Sequence, residues 1–273
     1  MKFLIYPNET RERAAAFGAE LTAWLTERGH TCVSSGGDLQ GVGMVIAIGG
    51  DGTVLRAVRE TYGLGIPCWS INYGTLGYLA ECQPEEAKDR LELILGSRYG
   101  LERRFTMSGR LLRQDNTTQR FFAINEAVIY RSSFAHMVRV NLSIGGNEIT
   151  SYAGDGLLVG TPTGSTAYNL SAGGPILMPD SEQLVITPIC SHSALSAPLV
   201  VSKQNRISID VSFQAADDEP GAPELVIDGL QRFPLREGDR VECSLSPISV
   251  DFVKTGDDSF YRKLQQRLSA LQR

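Results

Sequence analysis

The stretch MVIAIGGDGT, residues 44–53, decides the fold of this 273-residue chain. Its first five residues are all apolar, a run that is too short for a helix and typical of a buried strand. Glycine, glycine, aspartate and glycine follow, and apolar residues then recur at helical spacing from Thr53 to Thr61. The stretch therefore predicts a strand, a tight turn and a helix, with Thr53 as a candidate cap of that helix.

The segments around this stretch alternate in the same way. Residues 2–6 and 65–71 have the pattern of strands. Residues 11–28 and 84–95 have the pattern of amphipathic helices. Gly29 stands where the cap of a helix C-terminus belongs. Strands that alternate with helices predict a parallel sheet covered on both faces. We expect residues 1–100 to form a Rossmann-like α/β domain.

The pattern changes after residue 100. Short strand-like runs, separated by turn signals such as Asp228-Gly229, continue to residue 252. They predict a β-rich domain over residues 101–254. The final segment, 255–273, predicts a helix that packs back on the first domain. The apolar face of this helix is formed by Phe260, Tyr261, Leu264 and Leu268.

Composition argues against several classes of protein. The chain has 26 basic and 31 acidic residues, a net charge of −5, so it lacks the overall basic field typical of nucleic-acid-binding proteins. No segment approaches the roughly 20 apolar residues of a membrane span, and the first residues lack the pattern of a secretory signal. Five dispersed cysteines without a Cys-x-x-Cys pair argue against a disulfide framework and a structural zinc site. We expect a cytoplasmic protein with neither membrane nor nucleic-acid partners.

The glycines of the central stretch predict a phosphate site. Gly49, Gly50 and Gly52 allow a ligand to approach the backbone closely, and the following helix points its free N–H groups at the same spot. The stretch has neither the GxxxxGK[ST] pattern of a Walker loop nor the GxGxxG pattern. Asp51, placed among the phosphates, would hold a divalent cation or accept a proton from a hydroxyl. The alternative is a tight turn in which Asp51 only caps the helix.

Two other segments carry candidate ligand-binding residues. NYGTLGYLAE, residues 72–81, follows the third predicted strand, where ligands bind in open α/β sheets, although Leu76 and Tyr78 could equally plug the domain interface. GDGLLVGTPTGSTAYNLSAGGP, residues 154–175, combines a strand with a short helix opened by Ser165 and Thr166. In this segment Tyr168 can stack on a base and Asp155 can accept hydrogen bonds from a ribose or an amine. The alternative for this segment is an ordinary crossover loop.

Together these motifs resemble the NAD kinase family. GGDGT, NYGTLGYL, Asn125-Glu126 within FFAINEAVI, the 154–175 run and TPICSHS at 187–193 stand in the order and spacing of that family. The resemblance is close over residues 44–202 and looser at both ends. GGDGT alone is also similar to segments of phosphofructokinases and of diacylglycerol and sphingosine kinases. The resemblance implies an α/β domain followed by a β-sandwich domain.

The resemblance also implies roles for individual residues. Asp51 matches the family's proposed general base, directed at the 2′-hydroxyl of the adenosine ribose of NAD. Leu76, Gly77 and Tyr78 match the loop near the nicotinamide half of NAD. The adenosine part is matched by two groups, the pair Asn125 and Glu126 that holds it and the residues Thr166, Ala167 and Tyr168 that line its pocket. Asp155 matches an aspartate that contacts NAD, in some members from a neighbouring subunit. The other cofactor-binding candidates are Gly49, Gly50 and Gly52 of the phosphate loop, and Ser171.

As a function, the resemblance implies an NAD kinase that uses ATP with Mg²⁺ or another divalent cation and assembles as a homo-oligomer, a dimer or a tetramer. Ala153 and Ala197 stand where many family members carry a basic residue, and Ser191 replaces a common proline. The loss of these cations predicts weaker contact with the phosphate of the product. Two alternatives stay open at this point: a lipid kinase of the diacylglycerol or sphingosine type, and a sensor that binds NAD without chemistry.

Overall fold

The computed structural model describes all residues except 74–76, 132–136, 193–195, 214–221, 257–259 and 271–273, and it does not describe the side chains of residues 267, 268 and 270. The chain forms two compact units. The first comprises Met1–Arg103 and Val250–Arg273, and the second comprises Arg104–Ser249.

The first unit contains a parallel sheet. Its strands are β1 (Lys2–Pro7), β2 (Thr31–Ser34), β3 (Val42–Gly49) and β4 (Cys68–Asn72), in the order β2-β1-β3-β4. All three neighbouring pairs run parallel, which confirms the predicted α/β class. The edge strand β2 was not predicted, because its four residues TCVS are only half-buried or exposed and show no apolar run.

Three helices accompany this sheet: α1 (Glu12–Glu27), α2 (Asp51–Glu60) and α3 (Ala87–Leu95), the last preceded by a 3₁₀ turn at Pro84–Glu86. Gly29 follows α1 with a φ of +79° and donates its N–H to the carbonyl of Thr26, which confirms it as part of the helix terminus. The prediction that Thr53 caps α2 was wrong. Gly50 occupies that position without any side-chain cap, and Thr53 is buried inside the first turn.

The terminal helix α5 (Phe260–Ala270) packs within the first unit, as predicted. The ring of Phe260 lies 6.2 Å from that of Tyr78. The predicted apolar face is only partly right, because Tyr261 is 67% exposed. The side chain of Leu268 lies outside the described residues.

The second unit is built from two sheets. The strands of the first are β6 (Thr118–Ala123), β8 (Val138–Ile144), β9 (Asn147–Gly154) and β13 (Ile207–Ser212), together with most of β5 (Gly100–Leu112) and of β16 (Arg240–Lys254). Those of the second are β7 (Glu126–Tyr130), β10 (Gly156–Gly160), β11 (Gln183–Ile189), β12 (Leu199–Ser202), β14 (Glu224–Ile227) and β15 (Gln231–Pro234). The beginning of β5 and the end of β16 belong to the first unit. The second sheet has the order β12-β11-β10-β7-β14-β15, and each of its pairs is antiparallel.

One buried apolar cluster draws side chains from both of these sheets. Met107 and Leu142 come from the first sheet, and Leu157 and Ile186 come from the second. Apolar side chains that alternate along the strands of two sheets and share one core define a sandwich. The structure therefore confirms the β-sandwich. Among the described residues, no helix has the length and apolar character needed to span a membrane.

Candidate functional site

The glycine-rich turn that the sequence predicts as a phosphate site lies between β3 and α2. Gly49 is the last residue of β3, and a Cβ added to it would lie 2.4 Å from Oγ1 of Thr53. The turn can therefore close this tightly only with glycine there. At Gly50 and Gly52 a Cβ would meet no heavy atom within 4 Å, so the space in front of the helix N-terminus is open. Free N–H groups and the positive end of the helix dipole favour an anion at this position.

Asp51 begins α2, and its carboxylate is held by a different segment of the chain. Oδ2 accepts the N–H of Tyr78 at 3.0 Å, and Oδ1 accepts the N–H of Leu79 at 3.1 Å. Gly77 permits this approach, since a Cβ there would lie 1.9 Å from Oδ1. The alternative in which Asp51 only caps α2 is not what the structure shows, because the helix has no side-chain cap.

These two hydrogen bonds leave Asp51 able to act as a base. A carboxylate has about four lone-pair positions, and two N–H donors occupy one on each oxygen. The remaining positions can accept the proton of a hydroxyl. A carboxylate fixed by two backbone donors is also oriented before any substrate arrives, which is what positioning a reaction requires.

Most other residues of the 72–81 segment are either buried or lie outside the described residues. Leu76 lies outside the described residues. The side chain of Tyr78 is 7% exposed and packs on Phe260, while its backbone N–H serves Asp51. Glu81 is buried and binds Lys254 and the N–H of Thr255, the latter at 2.8 Å. The structure thus assigns this segment a direct part in holding Asp51.

In the second unit, Asn125 and Glu126 lie at the start of β7 and are fixed by Asp228. The Asp228 carboxylate accepts the N–H groups of Ile124, Asn125 and Glu126 at 3.0, 2.8 and 3.1 Å. Asp228 was not among the predicted site residues. Its only sequence signal was the Asp-Gly pair, which matches its left-handed backbone with a φ of +52°.

Three buried polar atoms in this region have no hydrogen-bond partner among the described residues: Oδ1 of Asn125, Oε2 of Glu126 and Oγ1 of Thr163. A buried acceptor or donor left unpaired costs about 1–3 kcal/mol. Such a cluster therefore indicates a polar ligand that completes these bonds. Thr163 was missed as an individual candidate, although it lies in the TPTGSTAY motif.

Burial, with a smaller contribution from the neighbouring Asp228 carboxylate, raises the pKa of Glu126 to about 8. The Glu126 carboxyl group is therefore largely protonated at neutral pH. In that form it can donate one hydrogen bond and accept others. A hydroxyl or an amino group of a ligand can use both capacities.

The 161–177 segment is joined to the Asn125 backbone. The N–H of Thr161 donates to the carbonyl of Asn125 at 2.8 Å, and a Cβ on Gly164 would lie 2.0 Å from that same oxygen. Instead of the predicted single helix, the segment contains a 3₁₀ turn at Gly164–Thr166 and one turn, α4, at Tyr168–Ser171. Ala167 connects these two turns.

Most of the polar side chains of this segment hold the segment itself together. Ser165 donates to the carbonyl of Pro162 and accepts the N–H of Leu177, at 2.6 and 2.9 Å. Asn169, which is fully buried, donates to the carbonyls of Ser165 and Pro175 and accepts the hydroxyl of Thr187. The predicted use of these hydroxyls for a ligand applies to fewer residues than the sequence indicated.

Tyr168 lies within electrostatic range of Asp155 and Glu126. Burial raises the pKa of Tyr168, and the charges of Cys190, Asp155 and Glu126 add to that rise, so these groups share one neighbourhood. The Tyr168 side chain is nevertheless 45% exposed, which leaves its ring available for stacking. Asp155 pairs with Arg131 at 2.8 Å, a residue that the sequence had not singled out.

The remaining candidates differ in accessibility. Thr166 is buried, and its hydroxyl donates to the carbonyl of Thr163 at 3.3 Å. Ser171 is exposed at the end of α4. Among the described residues, no group of three or more His, Cys, Asp or Glu side chains could hold a metal ion.

Two family models match most of the chain. Residues 37–99 match the ATP-NAD kinase N-terminal domain, and residues 124–255 match the ATP-NAD kinase C-terminal domain. Among curated proteins, the chain is 32% identical over 280 residues to an NAD kinase of Lachnoclostridium phytofermentans, covering 97% of this chain and 98% of that protein. It is 37% identical over 228 residues to an NAD kinase of Symbiobacterium thermophilum, covering 84% and 79%.

Two solved structures share the fold. The yeast NADH kinase complexed with NADH aligns with a TM-score of 0.89 and 22% identity, covering 98% of this chain and 87% of that one. The NAD kinase from Archaeoglobus fulgidus in complex with ATP aligns with a TM-score of 0.76 and 23% identity, covering 98% of both chains.

Proposed function

The chain belongs to the NAD kinase family, and from this premise we propose how its residues divide the reaction. The reaction is the transfer of the γ-phosphoryl group of ATP to the 2′-hydroxyl of the adenosine ribose of NAD, which gives NADP. Phosphoryl transfer depends on positioning and on neutralising charge more than on covalent chemistry by the protein. Both requirements can be assigned to particular groups of this chain.

The second unit binds the adenosine part of NAD. The unpaired Oδ1 of Asn125, Oε2 of Glu126 and Oγ1 of Thr163 support this assignment, because an adenosine offers amino and hydroxyl donors. Tyr168 contributes the stacking surface, with Thr166 and Ala167 beside it and Ser171 at the rim. Asp155, oriented by Arg131, accepts a further hydrogen bond from NAD.

The first unit binds the phosphates. Gly50 and Gly52 leave the N-terminus of α2 open, and Gly49 allows the turn that aims it. The family resemblance assigns Leu76 and Gly77 to the loop near the nicotinamide half of NAD, and Tyr78 contributes through its backbone N–H to Asp51. Mg²⁺ enters with ATP as Mg·ATP, since this ion keeps several waters and is commonly held by substrate phosphates with one or two carboxylates.

Asp51 is the general base. It accepts the proton of the 2′-hydroxyl while the hydroxyl oxygen attacks the γ-phosphorus and the bond to ADP breaks. Its two backbone donors keep the carboxylate in one orientation, so that little reorganisation is needed when the reaction occurs. The carboxylate fixed at the start of α2 is the single observation that carries this proposal.

The alternatives from the sequence are weaker on these grounds. A lipid kinase would share GGDGT but not a match to the NAD kinase C-terminal domain over residues 124–255. A sensor that only binds NAD has no need of a carboxylate held at a phosphate site. The position of Asp51 therefore favours catalysis.

The experiment that tests this proposal compares wild-type protein with Asp51→Asn, an isosteric change that removes the base. We expect the variant to fold, to be stabilised by NAD as the wild type is, and to lose about 10²- to 10⁴-fold in turnover. Turnover within about threefold of the wild type, in a variant that binds NAD equally well, would contradict the role of Asp51.

We also propose that the protein works in the cytoplasm as a homo-oligomer, a dimer or a tetramer. The absence of disulfide bonds among the five cysteines supports a reducing compartment. The family resemblance supports the oligomer, because in some members the aspartate that matches Asp155 contacts NAD from a neighbouring subunit. Light scattering after size-exclusion chromatography measures the assembly, and a monomer at micromolar concentration would contradict it.

A further inference from the structure

The backbone segment that donates two N–H groups to Asp51 also accepts hydrogen bonds from a lysine of the terminal helix. Lys263 of α5 is 7% exposed. Its ammonium group donates to the carbonyl of Tyr78 at 3.4 Å and, more closely, to the carbonyl of Ala80. The same stretch of backbone supplies the two N–H groups that bind the Asp51 carboxylate. Lys263 and Asp51 thus contact one short segment of three residues.

One peptide unit connects the two side chains directly. The carbonyl of Tyr78 and the N–H of Leu79 belong to the same planar peptide group, and in a trans peptide they point in opposite directions. Lys263 binds the oxygen end of this group, and Oδ1 of Asp51 accepts from its nitrogen end. A cation on the carbonyl polarises the peptide and strengthens the hydrogen bond donated by its N–H.

A buried ammonium group at this place is costly unless its donors are satisfied. A neutral apolar side chain could fill the same space without that cost. The use of two backbone carbonyls as acceptors therefore indicates that Lys263 is there to fix the path of residues 78–80.

Neighbouring contacts hold the same segment at its other end. Glu81 binds Lys254 and the N–H of Thr255, and Arg90 donates to the carbonyl of Thr255 at 2.7 Å. The ring of Phe260 packs against Tyr78. The segment after the last strand is therefore attached to residues 78–81 at several points.

We infer that Lys263 is a positioning residue for phosphoryl transfer, which orients Asp51 through the Tyr78–Leu79 peptide. This inference rests on the proposed role of Asp51 as the base. It assigns a function in the reaction to the C-terminal helix, whose residues do not belong to the motifs at 49–53, 125–126 or 154–175.

A double-mutant cycle tests the inference. The four proteins are the wild type, Lys263→Met, Asp51→Asn and the double variant; methionine keeps the length of the side chain but removes the charge and the donors. Because misplacing a catalytic group by about 1 Å can cost about 10²-fold, we expect Lys263→Met to lower kcat about 10- to 100-fold. The KM values for NAD and ATP should stay within about threefold, since substrate contacts are unchanged.

The decisive result is the effect of Lys263→Met in the Asp51→Asn background. If Lys263 acts through Asp51, its loss should change the residual rate less than about threefold there, because residues that act as a unit are not additive. A full 10-fold or larger loss in both backgrounds, or no loss of kcat in Lys263→Met, would overturn the inference.

Two further variants separate this role from simple stability. Lys88→Met removes an exposed lysine that pairs with Glu20 at 2.7 Å, and it should leave kcat unchanged. Lys263→Arg keeps a cation with donors and should recover part of the lost rate. Should Lys263→Met fail to unfold cooperatively, Lys263→Gln takes its place in the same cycle. If the wild type makes no NADP, the proposed function fails; if only the cycle fails, the inference alone is wrong.

Discussion

The backbone of Gly77 lies so close to the Asp51 carboxylate that no side chain fits at position 77 without displacing it. A Cβ on Gly77 would lie 1.9 Å from Oδ1 and 2.7 Å from Oδ2 of Asp51, far inside contact distance. The clash is with a movable carboxylate, so that a side chain at position 77 displaces Asp51 more readily than it prevents folding. The missing side chain of Gly77 is therefore part of the reason that Asp51 can receive the N–H groups of Tyr78 and Leu79.

Gly77→Ala should consequently lose activity while remaining folded. We expect kcat to fall at least about 10²-fold, because the carboxylate is pushed away from its two donors. Steady-state kinetics together with thermal unfolding check this. Gly100→Ala is the matched control, since a Cβ there meets no heavy atom within 4 Å. Equal kcat values for both variants would show that the close approach to Asp51 has no part in turnover.

Asn125→Ala tests the binding of adenosine. Oδ1 of Asn125 is buried without a partner among the described residues, so that its removal relieves an unpaired acceptor in the free protein. We expect the KM for NAD to rise about 10-fold or more, with little change in kcat. Kinetics at varied NAD concentration measure the effect. An unchanged KM would place the adenosine elsewhere.

The raised pKa of Glu126 predicts a dependence of stability on pH. This pKa is about 8 in the folded protein, against 4.5 for an ordinary glutamate, so that the folded state holds one more proton between those values. The free energy of unfolding should therefore fall as the pH rises through this window, by up to about 1.4 kcal/mol per pH unit. The contribution is complete below 4.5 and is lost above about 8.

Glu126→Gln, which cannot ionise, isolates this contribution. Denaturant unfolding of both proteins at several pH values between 5.5 and 8.5 should show the wild type losing stability relative to the variant. A difference between the two proteins that stays constant over that range would mean that Glu126 titrates normally.

Asn169 is predicted to matter for stability. Its buried side chain makes three hydrogen bonds that join the 165–175 turn to Thr187. Asn169→Ala leaves several of these groups unpaired, and we expect a loss of about 2–4 kcal/mol in the free energy of unfolding. Ser171→Ala, two residues later and exposed, should change that free energy by less than about 0.5 kcal/mol. Urea unfolding curves for the two variants distinguish them, and similar curves would refute the structural role of Asn169.

The elements that could be predicted from the sequence are those with local signals. Apolar runs and helical spacing define β3 and α2, and the glycines between them define the turn. The terminal helix was predicted from the periodicity of its own residues. In these segments the structure depends on residues only a few positions apart, so that a single sequence suffices to predict the element.

The contacts that complete the site are not local. Asp51 is held by residues 27 and 28 positions later, and Ile124 binds Asp228 across 104 positions. Lys263 reaches Tyr78 across 185 positions. No spacing rule connects such pairs, because the fold alone brings them together. The hydrogen bonds of Ser165 and Asn169 within their own segment are local, spanning three to six positions for Pro162, Ser165 and Pro175. The sequence missed them for a different reason: a polar side chain that binds its own backbone has the same residue type as one that binds a ligand.

The proposed division of roles requires that this chain makes NADP from NAD and ATP. The most direct measurement incubates purified protein with NAD, ATP and Mg²⁺ and detects NADP with an NADP-specific dehydrogenase. We predict that NADP forms in proportion to the amount of enzyme and that no NADP forms when ATP is omitted. If no NADP forms while the protein unfolds cooperatively and is stabilised by NAD, the chain binds the dinucleotide without phosphorylating it, and Asp51 is not a general base.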